Sequence, residues 1–155
     1  MYSRGVTEEL VPGLRYASGA QALWAAVVSA LTEWEQRMDQ ASAATGLSPV
    51  SVWALVQLDP QQPITQKELA ARLKCNPSTV VDPTDRLEEA GLVVRRPNPS
   101  DRRENELVVT AKGAALRKKL IARLLEPPPA LGQLSAREQA RFSAVVLEAV
   151  TARKR

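Results

Sequence analysis

A chain of 155 residues with 45% hydrophobic and 25% charged content suits a single soluble domain long enough to bury a core. Aromatics reach only 4% and the net charge is +4, which favours helices over a β-sandwich and gives a mild bias toward acidic partners. With no histidine and one cysteine, the most versatile general base and any intrachain disulfide are missing, so catalysis, a Cys/His metal site and an oxidising compartment lose support.

Residues 1–19 contain Pro12, Gly13 and Gly19 without a steady period and read as an arm. The most apolar run, ALWAAVVSAL at 22–31, is about half the length of a bilayer span. It has no basic leader and continues into TEWEQRMDQ, so a helix with one buried face is expected rather than a signal or membrane segment, in a cytoplasmic protein. Trp24, Val27, Val28, Leu31, Trp34 and Met38 follow helical spacing from about 20 to 44, and Gly46 stops that helix. Ser48-Pro49 then forms a cap and first-turn proline for a helix through VSVWALVQL, apolar nearly all round and therefore buried.

After the turn LDPQQP, Thr65 and Glu68 make a capping box, with Ile64 and Leu69 at the hydrophobic-staple positions of a helix over 66–73. KCNPS is a tight break in which Asn76-Pro77 again reads as cap and first-turn proline. The helix it opens runs to about Ala90, where Gly91 supplies a left-handed stop. LVVRRP and ENELVVT are β-prone and joined by the turn-forming NPSDR, which makes a hairpin with arginines on its legs and tip. Thr110 caps a long helix ended by EPPP. A second capping box, Ser135 with Glu138, opens a last helix carrying Phe142, Val145, Val146 and Val150.

A helix–turn–helix followed at once by a basic hairpin is a winged helix: mainly α, with a small β-hairpin wing. Its second helix suits the major groove of DNA and its hairpin the backbone or minor groove. Arginine suits that task because its planar fork grips phosphate bidentately and sheds water readily. The bland reading, a solvated turn whose charges protect an edge strand, carries less weight directly after a capped helix pair.

The segment ITQKELAARLKCNPSTVVDPTDRLEEAGLVVRRPNPSDRRENELVVTAKG resembles the core of the MarR family of bacterial transcriptional regulators. STV, DRLEEAGLV and DRR ahead of VVTAKG are its most specific pieces, and the resemblance extends over about residues 20–150. It implies a homodimer whose flanking helices form a dimerisation domain: an arm at 1–19, dimerisation and core helices at 20–60, the DNA-binding lobe at 61–112 and closing helices at 113–155. It further implies a palindromic double-stranded DNA operator, most often repression, no cofactor, and for many members release by a small phenolic or lipophilic ligand between the lobes. Carried residue by residue, the DNA-reading helix begins at Pro77. Ser78 and Thr79 match base or phosphate contacts, Arg86 a backbone contact, and Asp101 and Arg103 the wing aspartate and minor-groove arginine. Gln66 and Asn76 are further candidates, and Arg95, Arg96 and Arg102 are phosphate candidates from charge and position.

The departure lies at Val81-Asp82-Pro83-Thr84. At about 100° per residue, Val80, Thr84 and Leu87 face the core while Ser78, Asp82, Asp85 and Glu89 face outward. An outward acid where the family often has arginine costs about 1 kcal/mol per close phosphate in water, unless it accepts from a base donor such as cytosine N4. Pro83 inside a regular helix costs about 3 kcal/mol. Two arrangements stay open: a kink at Pro83, favoured because Asn76-Pro77 is already a good start, or a restart with Asp82 as a new cap. These two residues also motivate an alternative, a winged-helix protein-interaction module with altered DNA recognition. Cys75, at a turn before a helix N-terminus and beside Lys74, is a candidate redox sensor set against a small buried turn residue. Trp24, Trp34 and Trp53 are candidate ligand-lining residues set against ordinary core packing.

Overall fold

The computed structural model describes residues 13, 15–101 and 103–151. The arm read at 1–19 and the phosphate candidate Arg102 thus fall largely or wholly outside the described residues. The chain divides into two compact units, residues 1–124 and 125–155.

The first unit opens with α1 (Gly19–Thr45), capped by the Ser18 hydroxyl and closed by Gly46 in the left-handed conformation. Its C-terminal half is held by Met38 and Ala41, which are buried, while Leu23, Trp24 and Leu31 nearer its start stay exposed. α2 (Pro49–Gln57) starts on the Ser48 cap and proline and is the most buried helix, with Val52, Ala54 and Leu55 sealed from solvent. The Thr65–Glu68 capping box forms as expected at the start of α3 (Gln66–Leu73). Glu68 accepts from the Thr65 backbone N–H and hydroxyl, which holds its carboxyl below the usual carboxylate range. Leu69 is fully buried.

The segment after KCN departs from the favoured kink. Pro77–Val80 is a 3-10 turn, and α4 (Val81–Glu89) begins directly after it. Pro83 is therefore the third residue of α4, and its missing N–H falls among the four that no helical carbonyl receives. The restart comes at Val81 rather than through an Asp82 cap, and the Asn76 side chain makes no capping hydrogen bond. Val80, Thr84 and Leu87 are buried as the wheel required. Gly91, at φ 68°, ends α4, with the Gly91 N–H donating to Glu88 and the Leu92 N–H to Leu87.

Strands β2 (Val93–Pro97) and β3 (Asn105–Val109) form the hairpin, pairing Val93 with Val109 and Arg96 with Glu106. A third strand that patterning missed, β1 (Ile64–Thr65), pairs with the other edge of β3 through Ile64 and Leu107. It joins the start of α3 to the hairpin, so wing and helix pair share one sheet and one core. α5 (Ala111–Leu124) starts on the Thr110 cap and buries Leu120 and Leu124.

In the second unit a short α6 (Pro129–Gly132), also missed, precedes α7 (Ala136–Thr151), which opens on the expected Ser135–Glu138 box. Among its described side chains none is buried, and Phe142, Val145 and Leu147 are exposed. The Val150 side chain lies outside the described set.

Candidate nucleic-acid interface

The 3-10 turn, α4 and the hairpin bring most of the candidates to the surface. Asn76, Pro77, Ser78 and Thr79 are exposed on the turn. Asp82 follows in the first turn of α4 and Arg86 one turn later, with side chains 78% and 63% exposed and Arg86 Nε 3.7 Å from Asp82. Arg86 also lies 4.0 Å from Glu89.

Arg95 and Gln66 are placed differently from the expectation. Arg95 follows buried Val93 by two residues and so shares its face of the strand. Its guanidinium engages Asp85 and Glu88 of α4 and reaches the Thr84 hydroxyl at 3.0 Å, leaving its side chain 23% exposed. Burial works against its charge, but the two carboxylates outweigh that and hold it above the ordinary arginine value. Arg95 is thus a strut between wing and helix rather than a free phosphate ligand. The Gln66 amide likewise donates to Thr84, so its donor points into the fold.

At the hairpin tip, Asn98 accepts from the Ser100 N–H and Asp101 from the Arg103 N–H at 3.0 Å, two Asx turns in succession. Asp101 shapes the backbone under Arg103 more than it grips the guanidinium, whose Nε stands 3.7 Å away on a side chain 94% exposed. Arg96, on the outer face of β2, lies 3.6 Å from Glu106. The pairs of Arg86 and Arg103, exposed on both sides, are worth between nothing and about 1 kcal/mol each, so phosphate can displace those acids at little cost, whereas Glu106 beside Arg96 is only 16% exposed.

Trp34 and Trp53 meet edge-to-face at 5.4 Å and pack against the core, which matches the packing reading. Trp24 is exposed and ten residues earlier on α1, roughly 15 Å along the helix axis, so the three do not form one cluster. A shallow open cleft lies elsewhere, lined by Thr65, Lys67, Glu68, Ala71, Asn98 and Glu104. Cys75 is half-buried against the core, and its N–H bonds the Ala70 carbonyl. The element after it is a four-residue 3-10 turn, and the α-helix proper begins six residues on, at Val81. Among the described residues no group of three or more His, Cys, Asp or Glu is gathered to hold a metal, and no helix is long and apolar enough to cross a membrane.

The chain is 33% identical over 87 residues to the HTH-type transcriptional repressor MdtR of Bacillus subtilis, a match spanning 52% of this chain and 56% of that protein. The transcriptional repressor CouR, solved bound to a 23-mer DNA duplex, is 30% identical over 90% of this chain and 98% of its own, with a TM-score of 0.63. CouR from Rhodococcus jostii RHA1, solved with p-coumaroyl-CoA, superposes with a TM-score of 0.67 at 25% identity over 87% of this chain and 95% of its own. The model of the MarR family matches residues 47–105, from just ahead of α2 to the start of β3. With that family model over its helix pair and wing and CouR 30% identical along 98% of its own length, the chain belongs to the MarR family.

Proposed function

We propose that the chain is a homodimeric, sequence-specific DNA-binding repressor released by a small ligand. The 3-10 turn and α4 enter the major groove of each half of a palindromic operator, with Ser78, Thr79 and Asp82 leading. The hairpin lays Arg103 into the adjacent minor groove, while Arg86 and Arg96 meet phosphates. The observation that carries this reading is the pairing of an exposed α4 face with a hairpin tip whose arginine is 94% exposed beside two successive Asx hydrogen bonds. A side chain so presented has no part in holding the fold. The solved complex of CouR with a DNA duplex supports DNA as the partner, and the p-coumaroyl-CoA complex supports a small-molecule ligand. The exposed apolar residues of α7 support a second copy of the chain as their cover.

A salt series with promoter DNA tests the reading. Log affinity is expected to fall linearly with log salt. Arg103→Ala should weaken binding and flatten the slope by about 0.9 for each phosphate that the variant no longer neutralises. Dimerisation and helicity stay unchanged. Weak, salt-insensitive association with every duplex would favour the protein-interaction module instead.

A further inference from the structure

We infer that Asp82 is the specificity-determining acceptor of this interface and selects cytosine at one position of each half-site; the inference rests on the groove-facing reading of α4. That helix carries four carboxylates, Asp82, Asp85, Glu88 and Glu89. Asp85 and Glu88 are engaged by Arg95 and hold the wing. Glu89 sits at the far end of the helix. Asp82 alone stands in the leading turn with its side chain 78% exposed, and its ion pair with Arg86 spans 3.7 Å. That distance exceeds hydrogen-bonding range, so the carboxylate lone pairs stay open to an incoming donor.

The neighbours of Asp82 point the same way. Ser78 and Thr79 are exposed, and so is the apolar Val81, at 45%. The turn and the first half of α4, residues 77–84, carry no lysine or arginine. They present short hydroxyls, which serve phosphate or base, together with methyl groups and an acceptor, which serve base edges.

The major groove offers an acceptor only two base donors, cytosine N4 and adenine N6. They differ in what lies beside them. The adenine amino group sits between its own N7 and the O4 of the paired thymine, and both repel a carboxylate. The cytosine amino group has one such neighbour, guanine O6, and an apolar ring edge on the other side. A carboxylate therefore prefers cytosine. An amide at the same place, with a donor beside its acceptor, fits adenine N6 and N7 together, and a guanidinium fits guanine O6 and N7.

The test selects bound duplexes at low salt from a random pool, using the full chain and its Asp82→Asn, Asp82→Arg and Asp82→Ala variants, each checked for unchanged helicity. The wild type is expected to retain one position per half-site where cytosine exceeds every other base about tenfold. At that same position Asp82→Asn should select adenine and Asp82→Arg guanine, while Asp82→Ala should show no preference. Elsewhere the site should be unaltered. Variants that bind duplex with the wild-type preference at every position would overturn the role of Asp82 and leave the groove reading standing. Failure of wild type and variants alike to retain any duplex would overturn both.

Discussion

Thr84 is fully buried, yet its hydroxyl serves three elements. It lies 2.8 Å from the Val80 carbonyl, to which it donates, and accepts from the Gln66 amide at the head of α3 and the Arg95 guanidinium of β2. One hydrogen and two lone pairs leave it nothing further to give. Thr84→Val keeps the shape and removes the acceptor, so both donors lose a partner at a cost of about 1–3 kcal/mol. Urea unfolding should show that loss, and operator binding should weaken although residue 84 touches no DNA. An unchanged midpoint would mean that the hydroxyl does not hold wing and helix together. Glu68 gives a second residue-scale expectation. Its folded-state carboxyl is lowered by the Thr65 cap, so its contribution is complete above its unfolded value, roughly 4.3, and is lost as pH falls through the lower folded one. Glu68→Gln should therefore trail the wild type by about 0.5 kcal/mol near neutrality, with the gap closing in acid; a pH-independent gap would refute the charge argument. Of this network, the helical wheel exposes the inward turn of Thr84, and strand alternation places Arg95 on the face of Val93. The engagement of Arg95 itself is hidden, because Asp85 and Glu88 lie ten and seven positions earlier and meet it only when the hairpin folds back on α4.

At the scale of elements, helix starts and stops were legible because they are local chemistry: a hydroxyl three residues before a carboxylate, or a glycine where only a left-handed residue closes the helix. β1 was not, since two residues become a strand only when Leu107 and Glu106 lie beside them. The outcome at Pro83 was not legible either. Its cost depends on whether the helix counts from Pro77 or from Val81, and the tight 3-10 turn settles that in favour of Val81. The docking of α5 is another tertiary fact. The N–H of Thr110 reaches the Leu92 carbonyl and its hydroxyl the Gly91 carbonyl, which brings the first turn of α5 against the backbone between α4 and β2. Buried Gly113 lies at that junction, where a Cβ would stand 2.0 Å from the Leu92 carbonyl oxygen. Because the obstacle is backbone, it cannot rotate away. Gly113→Ala should cost about 3 kcal/mol, seen as a lower denaturation midpoint, with weaker DNA binding because the displaced backbone leads into β2. A fully stable Gly113→Ala chain would show that α5 does not approach so closely.

For the whole molecule, the deciding fact is an amphipathic helix without cover. α7 places Phe142, Val145 and Leu147 in solvent, and α1 does the same with Leu23, Trp24 and Leu31. Most of a helix's stability in a protein comes from packing its apolar face rather than from propensity, and exposed apolar residues gathered on one helix mark an interaction surface. If a second copy of the chain is the cover, stability and assembly are linked by mass action, and the thermal midpoint must rise with protein concentration. Phe142→Asp would set a charge into that interface. Sedimentation should then report a monomer where the wild type is a dimer, the midpoint should fall and lose its concentration dependence, and DNA affinity should drop toward that of a single half-site. The wing is untouched by this change, so the salt slope per bound chain should persist even as affinity falls. A wild type that stays monomeric at micromolar concentration, or a Phe142→Asp variant of unaltered mass, would remove the second copy from the account and leave α7 to a different partner.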